Sequence, residues 1–134
     1  MYSVTIANNT ADNDGDGGGD GGGIWRSSGA INFRNTLIAG NSDIGGEAPD
    51  CSGTLTSQGY NLIQNTAGCA IAGDSTGNIT GQNPNLGPLQ DNGGATFTHL
   101  LLPGSPAINA GNPAAPGSGG NACEATDQRG VARP

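Results

Sequence analysis

Short apolar positions alternate with small polar residues along this chain, and the alternation recurs at a fixed spacing. Residues 28–31 (Ser-Gly-Ala-Ile) return as residues 52–55 (Ser-Gly-Thr-Leu) and as residues 76–79 (Thr-Gly-Asn-Ile), a step of 24 residues each time. Three apolar positions follow the same step: Ile38, Leu62 and Leu86. Gly, Asn and Thr separate the apolar positions, which favours short strands and turns over a helical repeat. A constant period of this size predicts a β-solenoid.

Both flanks of the repeat extend this picture. Tyr2, Val4 and Ile6 alternate with polar residues, which predicts a half-buried strand in an earlier rung. We expect an all-β solenoid of about four rungs with an irregular C-terminal segment. The rungs are predicted within residues 1–111, with an acidic, Gly-rich insertion at 12–23, and residues 112–134 form a Gly/Pro-rich loop and closing tail.

The apolar positions of each copy are the predicted core. The expected inward residues are Ile31, Phe33 and Leu37 in the first rung, Leu55, Leu62 and Ile63 in the second, and Ile79 and Leu86 in the third. Asn41 and Asn65 recur at a turn, where stacked Asn side chains bond along the coil. We interpret that pair as a structural device and not as a site.

Composition leaves two other folds open and excludes some partners. The chain has 134 residues, 26 of them Gly, with 33% hydrophobic and 4% aromatic residues, so disorder or a compact β-sandwich are alternatives. A solenoid needs only a thin core and uses Gly, Asn and Asp in its turns. The net charge of -7 and the lack of a basic patch argue against nucleic acid. No apolar run is long enough to span a membrane, and no signal peptide is expected.

The three cysteines predict one disulfide. Cys51 and Cys69 bracket one repeat unit, and a solenoid places residues about one turn apart in adjacent rungs. A disulfide between them indicates an oxidising compartment, whereas the alternative is three free or buried thiols. Cys123 is then unpaired, and is either free or linked to another chain.

The sharpest candidate site is the acidic stretch at residues 12–20. Asp12, Asp14 and Asp16 alternate with other residues, and Asp20 follows a run of Gly. Carboxylates at this spacing can converge on one hard cation, so the pattern predicts Ca²⁺ as ligand. Gly23 stands where an EF-hand needs a bidentate Glu. The alternative is a solvated, flexible acidic loop.

The C-terminal part resembles a known family. Residues 85–94 (Asn-Leu-Gly-Pro-Leu-Gln-Asp-Asn-Gly-Gly), residues 102–111 (Leu-Pro-Gly-Ser-Pro-Ala-Ile-Asn-Ala-Gly), residues 126–130 (Thr-Asp-Gln-Arg-Gly) and the final Arg-Pro are similar to the end of bacterial surface proteins of the choice-of-anchor type. The resemblance covers roughly residues 24–134. It implies a right-handed parallel β-helix with a pectate-lyase-like architecture, displayed outside the cell or at the bacterial cell surface.

Four functional classes follow. A short coil with exposed ends is suited to head-to-tail stacking, so we expect an extracellular structural protein that forms a filament with itself. The alternative is a C-terminal module of a larger surface adhesin, whose partner is another surface protein. An extracellular glycan is a further possible partner, although the aromatic residues are scattered. The fourth class is a polysaccharide-cleaving β-helix, but we expect no catalytic residues, because the rungs carry few carboxylates and only Arg26 and Arg34 stand near the acidic loop. His99 is expected to be structural.

Overall fold

The computed structural model describes residues 1–134 as an all-β chain without helices. Its strands are β1 (Thr5–Ala7), β2 (Thr10–Ala11), β3 (Ile24–Trp25), β4 (Asn32–Phe33), β5 (Leu37–Ala39), β6 (Ser42–Asp43), β7 (Cys51–Gln58), β8 (Leu62–Ile63), β9 (Cys69–Asp74) and β10 (Ile79–Thr80). The all-β prediction is confirmed. No helix long and apolar enough to cross a membrane is present.

All pairs between these strands are parallel. We call a stretch of chain whose strands pair with those of the next stretch a pass, and each pair joins two successive passes. The first sheet has the order β1-β5-β8-β10 and is called the β5 sheet below. A second sheet pairs β2 with β6. In the third sheet the long strand β7 pairs with β3 and β4, and also with β9. Two adjacent parallel strands need a crossover connection between them. Here the turns and the strands of the other sheets provide that connection.

The pairing register shows which paired residues are 24 positions apart in the sequence and which are not. Asn32 pairs with Thr56, which keeps the step of 24, whereas Leu37 pairs with Leu62, a step of 25. Ile79 pairs with Leu62, a step of only 17. The earlier pass includes β6 and the loop that follows it, whereas a short turn at residues 65–68 replaces both in the last pass. The third sequence copy is therefore out of phase with the structure.

The apolar residues form two clusters on opposite faces of the β5 sheet. The interior core lies between the sheets and consists of Ile24, Phe33, Ile38, Cys51, Leu55 and Ile63. The outer cluster consists of Leu37, Ala39 and Leu62, against which Ile79, Leu86 and Ala107 pack. Successive residues of a strand face opposite sides, so Ile38 points inward and Leu37 outward. The expected inward positions of Leu37, Leu62 and Ile79 are wrong for this reason, and that of Leu86 is wrong because Leu86 packs on the outer cluster from outside the sheet.

Residues 81–134 lie against the outside of the β5 sheet. Three isolated antiparallel β-bridges lie within this segment: Leu86 with Leu101, Gln90 with Thr98 and Thr126 with Ala132. The side chain of Asn35 accepts a hydrogen bond from the backbone N–H of Asn112 at 3.0 Å and donates one to the carbonyl oxygen of Asn121 at 3.0 Å. These contacts, together with the outer cluster, attach the C-terminal segment (residues 81–134) to the parallel strands.

Candidate functional site

The last pass of the chain leaves its strand edges without a partner. β9 pairs only with β7, and β10 pairs only with β8. No backbone hydrogen bond joins another segment to the outer edge of β9. We call β9 and β10 the open end. An edge of six residues with unpaired backbone groups is a template for pairing with another strand.

The interior core reaches solvent at the open end. Ile71 pairs with Leu55 and Thr80 pairs with Ile63, so both face the same side as those core residues. Ile71 is half-buried and Thr80 is exposed, whereas Leu55 and Ile63 are fully buried. The open end thus presents a partly apolar surface framed by unpaired strand edges.

The opposite end is formed by the first pass of the chain. β1 pairs only with β5, and β3 pairs only with β7. Residues 1–3 run beside β4, where the Met1 amino group donates to the Asn32 carbonyl at 2.6 Å and the Arg34 N–H donates to the Met1 carbonyl at 3.1 Å. Ile6 is half-buried on the interior core. Both ends therefore expose strand edges and partly covered core residues.

The predicted acidic site is divided between two places. Asp12, Asp14 and Asp16 bring one carboxylate oxygen each within 4.8 Å of one another. The Asp12 carboxylate accepts hydrogen bonds from the N–H of Asp16 at 3.0 Å and of Gly17 at 3.2 Å, which folds the loop back on itself. Asp20 is not part of this group. These three carboxylates are mostly exposed, and as a group they could hold a metal ion.

Asp20 instead meets two residues from another part of the chain. Its carboxylate lies within 4.8 Å of those of Asp43 and Glu47. Asp43 is buried and accepts hydrogen bonds from the N–H of Gly45 at 3.2 Å and of Ala48 at 3.4 Å. The pairing of β2 with β6 brings these positions beside the acidic loop, and that long-range contact was not readable from the local pattern. This second group could also hold a metal ion.

The remaining candidate residues are the cysteines and two arginines, and none of them lies in an acidic group. The disulfide predicted between Cys51 and Cys69 is present, with 5.4 Å between the Cα atoms, and Cys123 is free. Arg26 donates from Nε to the Gly29 carbonyl at 2.6 Å, and the Arg34 guanidinium lies 3.6 Å from the centre of the Tyr2 ring. Neither arginine pairs with a carboxylate, since the one ion pair joins Arg129 and Asp127.

His99 and Cys123 share a cleft between the β5 sheet and the C-terminal segment. His99 Nδ1 lies 2.7 Å from the Gly87 carbonyl oxygen, which holds the imidazole ring against the neighbouring antiparallel segment. Cys123 Sγ lies 4.0 Å from the Asn112 carbonyl oxygen, a weak contact. The cleft includes Ile79 of β10 on the outer face of the β5 sheet, and no residue of β9 or of the two acidic groups lines it.

Comparison with models of known protein families, with curated proteins and with solved structures finds no match to this chain.

Proposed function

We propose that this chain is an extracellular structural protein, a right-handed parallel β-helix subunit that stacks end to end into a filament or surface fibre. The parallel sheets and the succession of passes in each sheet support the β-helix assignment. A disulfide between adjacent passes is typical of proteins that fold in an oxidising compartment. The resemblance to choice-of-anchor surface proteins is in keeping with display outside the cell.

The open end is the observation that carries this proposal. After β10 the chain continues for residues 81–134, yet this segment packs on the outer cluster instead of covering β9. The free edge of β9 therefore does not depend on what precedes Met1. Uncovered strand edges are a liability that proteins generally block with charge, proline or a covering element. Asp74 is the one charged residue in β9, and the strand contains no proline.

The two ends are suited to each other. In a parallel stack the strands of both end passes run in the same direction, so β10 of one copy can extend the sheet that begins with β1 of the next. Such a contact joins two different surfaces of the same chain and does not close, so it produces a linear polymer. Thr80 at the open end would then stack on Ile6 of the next copy, in the register that already joins Ile6, Ile38, Ile63 and Thr80, and the interior core would continue across the junction.

Electron microscopy of the purified chain tests the proposal directly. We expect filaments whose number increases with protein concentration. Thr80→Lys places a charge over the core at the open end and should abolish them. Thr54→Lys is the matched control, because Thr54 is exposed on the lateral surface of β7 and should leave filaments intact. Only discrete monomers of the unmodified chain at high concentration would contradict the proposal.

The alternative proposal is a C-terminal module of a larger surface adhesin. In that case a preceding segment would cover the opposite end, while the open end would remain free. Filaments formed by the isolated chain but abolished by a natural N-terminal extension would favour this alternative. Binding of another surface protein by the extended chain, without binding by this chain, would favour it further.

Calcium is the cation that we propose for the acidic groups. Hard oxygen ligands from carboxylates suit Ca²⁺, and extracellular calcium is abundant enough for weak sites of this kind. Titration calorimetry should give heat on adding Ca²⁺, and proteolysis of the acidic loop should slow. Asp14→Asn tests the first group and Asp43→Asn the second. Absence of both heat and protection would remove calcium from the proposal.

Glycan binding and glycan cleavage are less favoured alternatives, and the proposed function includes no catalysis. A glycan array and a polysaccharide turnover assay decide between these classes. Turnover that disappears in Asp14→Asn, Asp16→Asn or Arg34→Gln would replace the structural proposal with an enzymatic one.

A further inference from the structure

We propose that the cleft between the β5 sheet and the C-terminal segment binds a small monocarboxylic acid with an apolar body. Its volume is about 190 Å³. The apolar lining comes from both sides: Leu37, Leu62 and Ile79 of the sheet, and Leu86, Leu101 and Ala107 of the C-terminal segment. Concave, mostly apolar sites with a few polar groups are the usual form of small-molecule sites. This proposal does not depend on end-to-end assembly.

The charge of the residues that line the cleft indicates that its ligand is an anion. The chain has 11 acidic residues, yet none of them lines the cleft, whereas Arg133 does. The Arg133 side chain donates from Nε to the Thr126 carbonyl at 3.3 Å and forms no ion pair, since the only pair is that of Arg129 with Asp127. An unpaired guanidinium offers a carboxylate two parallel hydrogen bonds. The overall charge of -7 repels multiply charged anions, so a single negative charge fits best.

His99 gives the cleft a second polar group. A carbonyl oxygen can only accept, so the 2.7 Å contact with the Gly87 oxygen places the proton of the neutral ring on Nδ1. His99 Nε2 has no protein partner and remains for water or a ligand. A polar atom fixed in this way adds orientation to a site whose lining combines apolar residues with other polar ones, among them Asn35, Thr36 and Asn61.

The volume limits the size of the ligand. Drug-sized ligands occupy pockets of about 300 to 1,000 Å³, so a cleft of about 190 Å³ suits a smaller ligand. A single-ring or short-chain acid such as benzoate fits this limit.

Ligand-observed fluorine NMR with 4-fluorobenzoate tests the proposal and works whether or not the chain assembles. We expect saturable line broadening with a dissociation constant on the order of 1 mM, the range of small ligands with few atoms. The neutral analogue 4-fluorobenzamide should bind several-fold more weakly. Arg133→Gln should weaken binding of the acid several-fold, while Arg26→Gln, which removes a guanidinium outside the cleft, should not.

Alkylation of Cys123 then locates the ligand. Cys123 is the one free thiol and lines the cleft, so benzoate should slow its reaction with iodoacetamide. Equal binding of acid and amide, or unchanged acid binding by Arg133→Gln, would overturn the proposal. Binding by NMR without any protection of a reactive Cys123 would place the ligand elsewhere and would also overturn it. Where Cys123 does not react at all, the NMR comparison decides alone.

Discussion

The carboxylate of Asp50 links Asn41 to Asn65 across successive passes of the chain. Asp50 Oδ1 accepts hydrogen bonds from the backbone N–H of Asn41 at 3.1 Å and from its side-chain Nδ2 at 2.9 Å. Asp50 Oδ2 accepts one from the backbone N–H of Asn65 at 2.8 Å. Asn41 in turn accepts from the side chain of Asn9 at 2.9 Å, so the network reaches the first pass. A buried carboxylate is tolerated here because its oxygens are occupied by donors.

Replacing Asp50 with Ala should lower the free energy of unfolding by about 2 to 4 kcal/mol. The reason is that Asp50 is almost fully buried and its removal deletes three hydrogen bonds, which leaves the backbone N–H groups of Asn41 and Asn65 without an acceptor. Urea unfolding followed by circular dichroism measures the loss. Asp14→Ala is the control, because Asp14 is exposed and accepts no hydrogen bond, and it should change the free energy by less than about 0.5 kcal/mol. Equal effects of the two substitutions would contradict a structural role for the network.

Replacing Leu62 with Ala should both destabilise the fold and loosen the C-terminal segment. Leu62 is 5% exposed and belongs to the outer cluster that Leu86 and Ala107 cover. A buried Leu→Ala substitution typically costs about 2 to 5 kcal/mol. Limited proteolysis should therefore cut within residues 81–134 sooner than in the unmodified chain.

Leu89→Ala is the matched control for Leu62→Ala. Leu89 is 58% exposed, so the same truncation there should change stability by less than about 1 kcal/mol. If Leu62→Ala lowers stability but leaves the proteolysis of residues 81–134 unchanged, the outer cluster does not hold the C-terminal segment.

The repeat predicted an all-β chain because its signals are local. The alternation of apolar and polar residues and the Gly and Asn residues at turns depend on a single pass of the chain. The 24-residue step between Asn32 and Thr56 depends on one pass and the next. The phase of the last pass was not readable, because the length of each turn decides it. Ile79 shares the spacing of Leu55 in the sequence, but the short turn at residues 65–68 places it beside Leu62.

The candidate site shows the same division between local and long-range information. Asp12, Asp14 and Asp16 are neighbours in sequence, and their convergence follows from a tight loop. Asp20 joins Asp43 and Glu47 only because β2 pairs with β6. The disulfide was predictable because a spacing of 18 residues is close to one short pass of the chain.

Reduction of the disulfide should destabilise the chain by about 3 kcal/mol. Cys51 and Cys69 are 18 residues apart, and closing a loop of this size restricts the unfolded chain by roughly that amount. Thermal unfolding with and without a phosphine reductant measures the shift. Cys123→Ser should respond to the reductant as the unmodified chain does, whereas a Cys51→Ala, Cys69→Ala double variant should not respond. A shift that disappears in Cys123→Ser would instead assign the effect to that thiol.

Asp127 should give the C-terminal tail a stability that is lost in acid. Hydrogen bonding from the Arg129 guanidinium, at 2.8 Å and 2.6 Å, is the main cause that lowers the pKa of the Asp127 carboxyl below its ordinary 3.8, and the backbone N–H groups of Arg129 and Val131 add to it. A pKa that is lower in the folded state means that the unfolded state takes up the proton first. The contribution is therefore complete above about pH 4 and declines as the pH falls through the lowered pKa.

Asp127→Asn measures this contribution by the difference in unfolding free energy from the unmodified chain. We expect a loss of at most about 1 kcal/mol at pH 6, because the pair is partly exposed and screened by solvent. The difference should shrink as the pH falls through the lowered pKa of the native carboxyl. Glu124→Gln removes a nearby exposed charge without hydrogen bonds and controls for net charge. An Asp127→Asn difference that stays constant from pH 6 to pH 2 would show that the ionised carboxylate does not stabilise the tail.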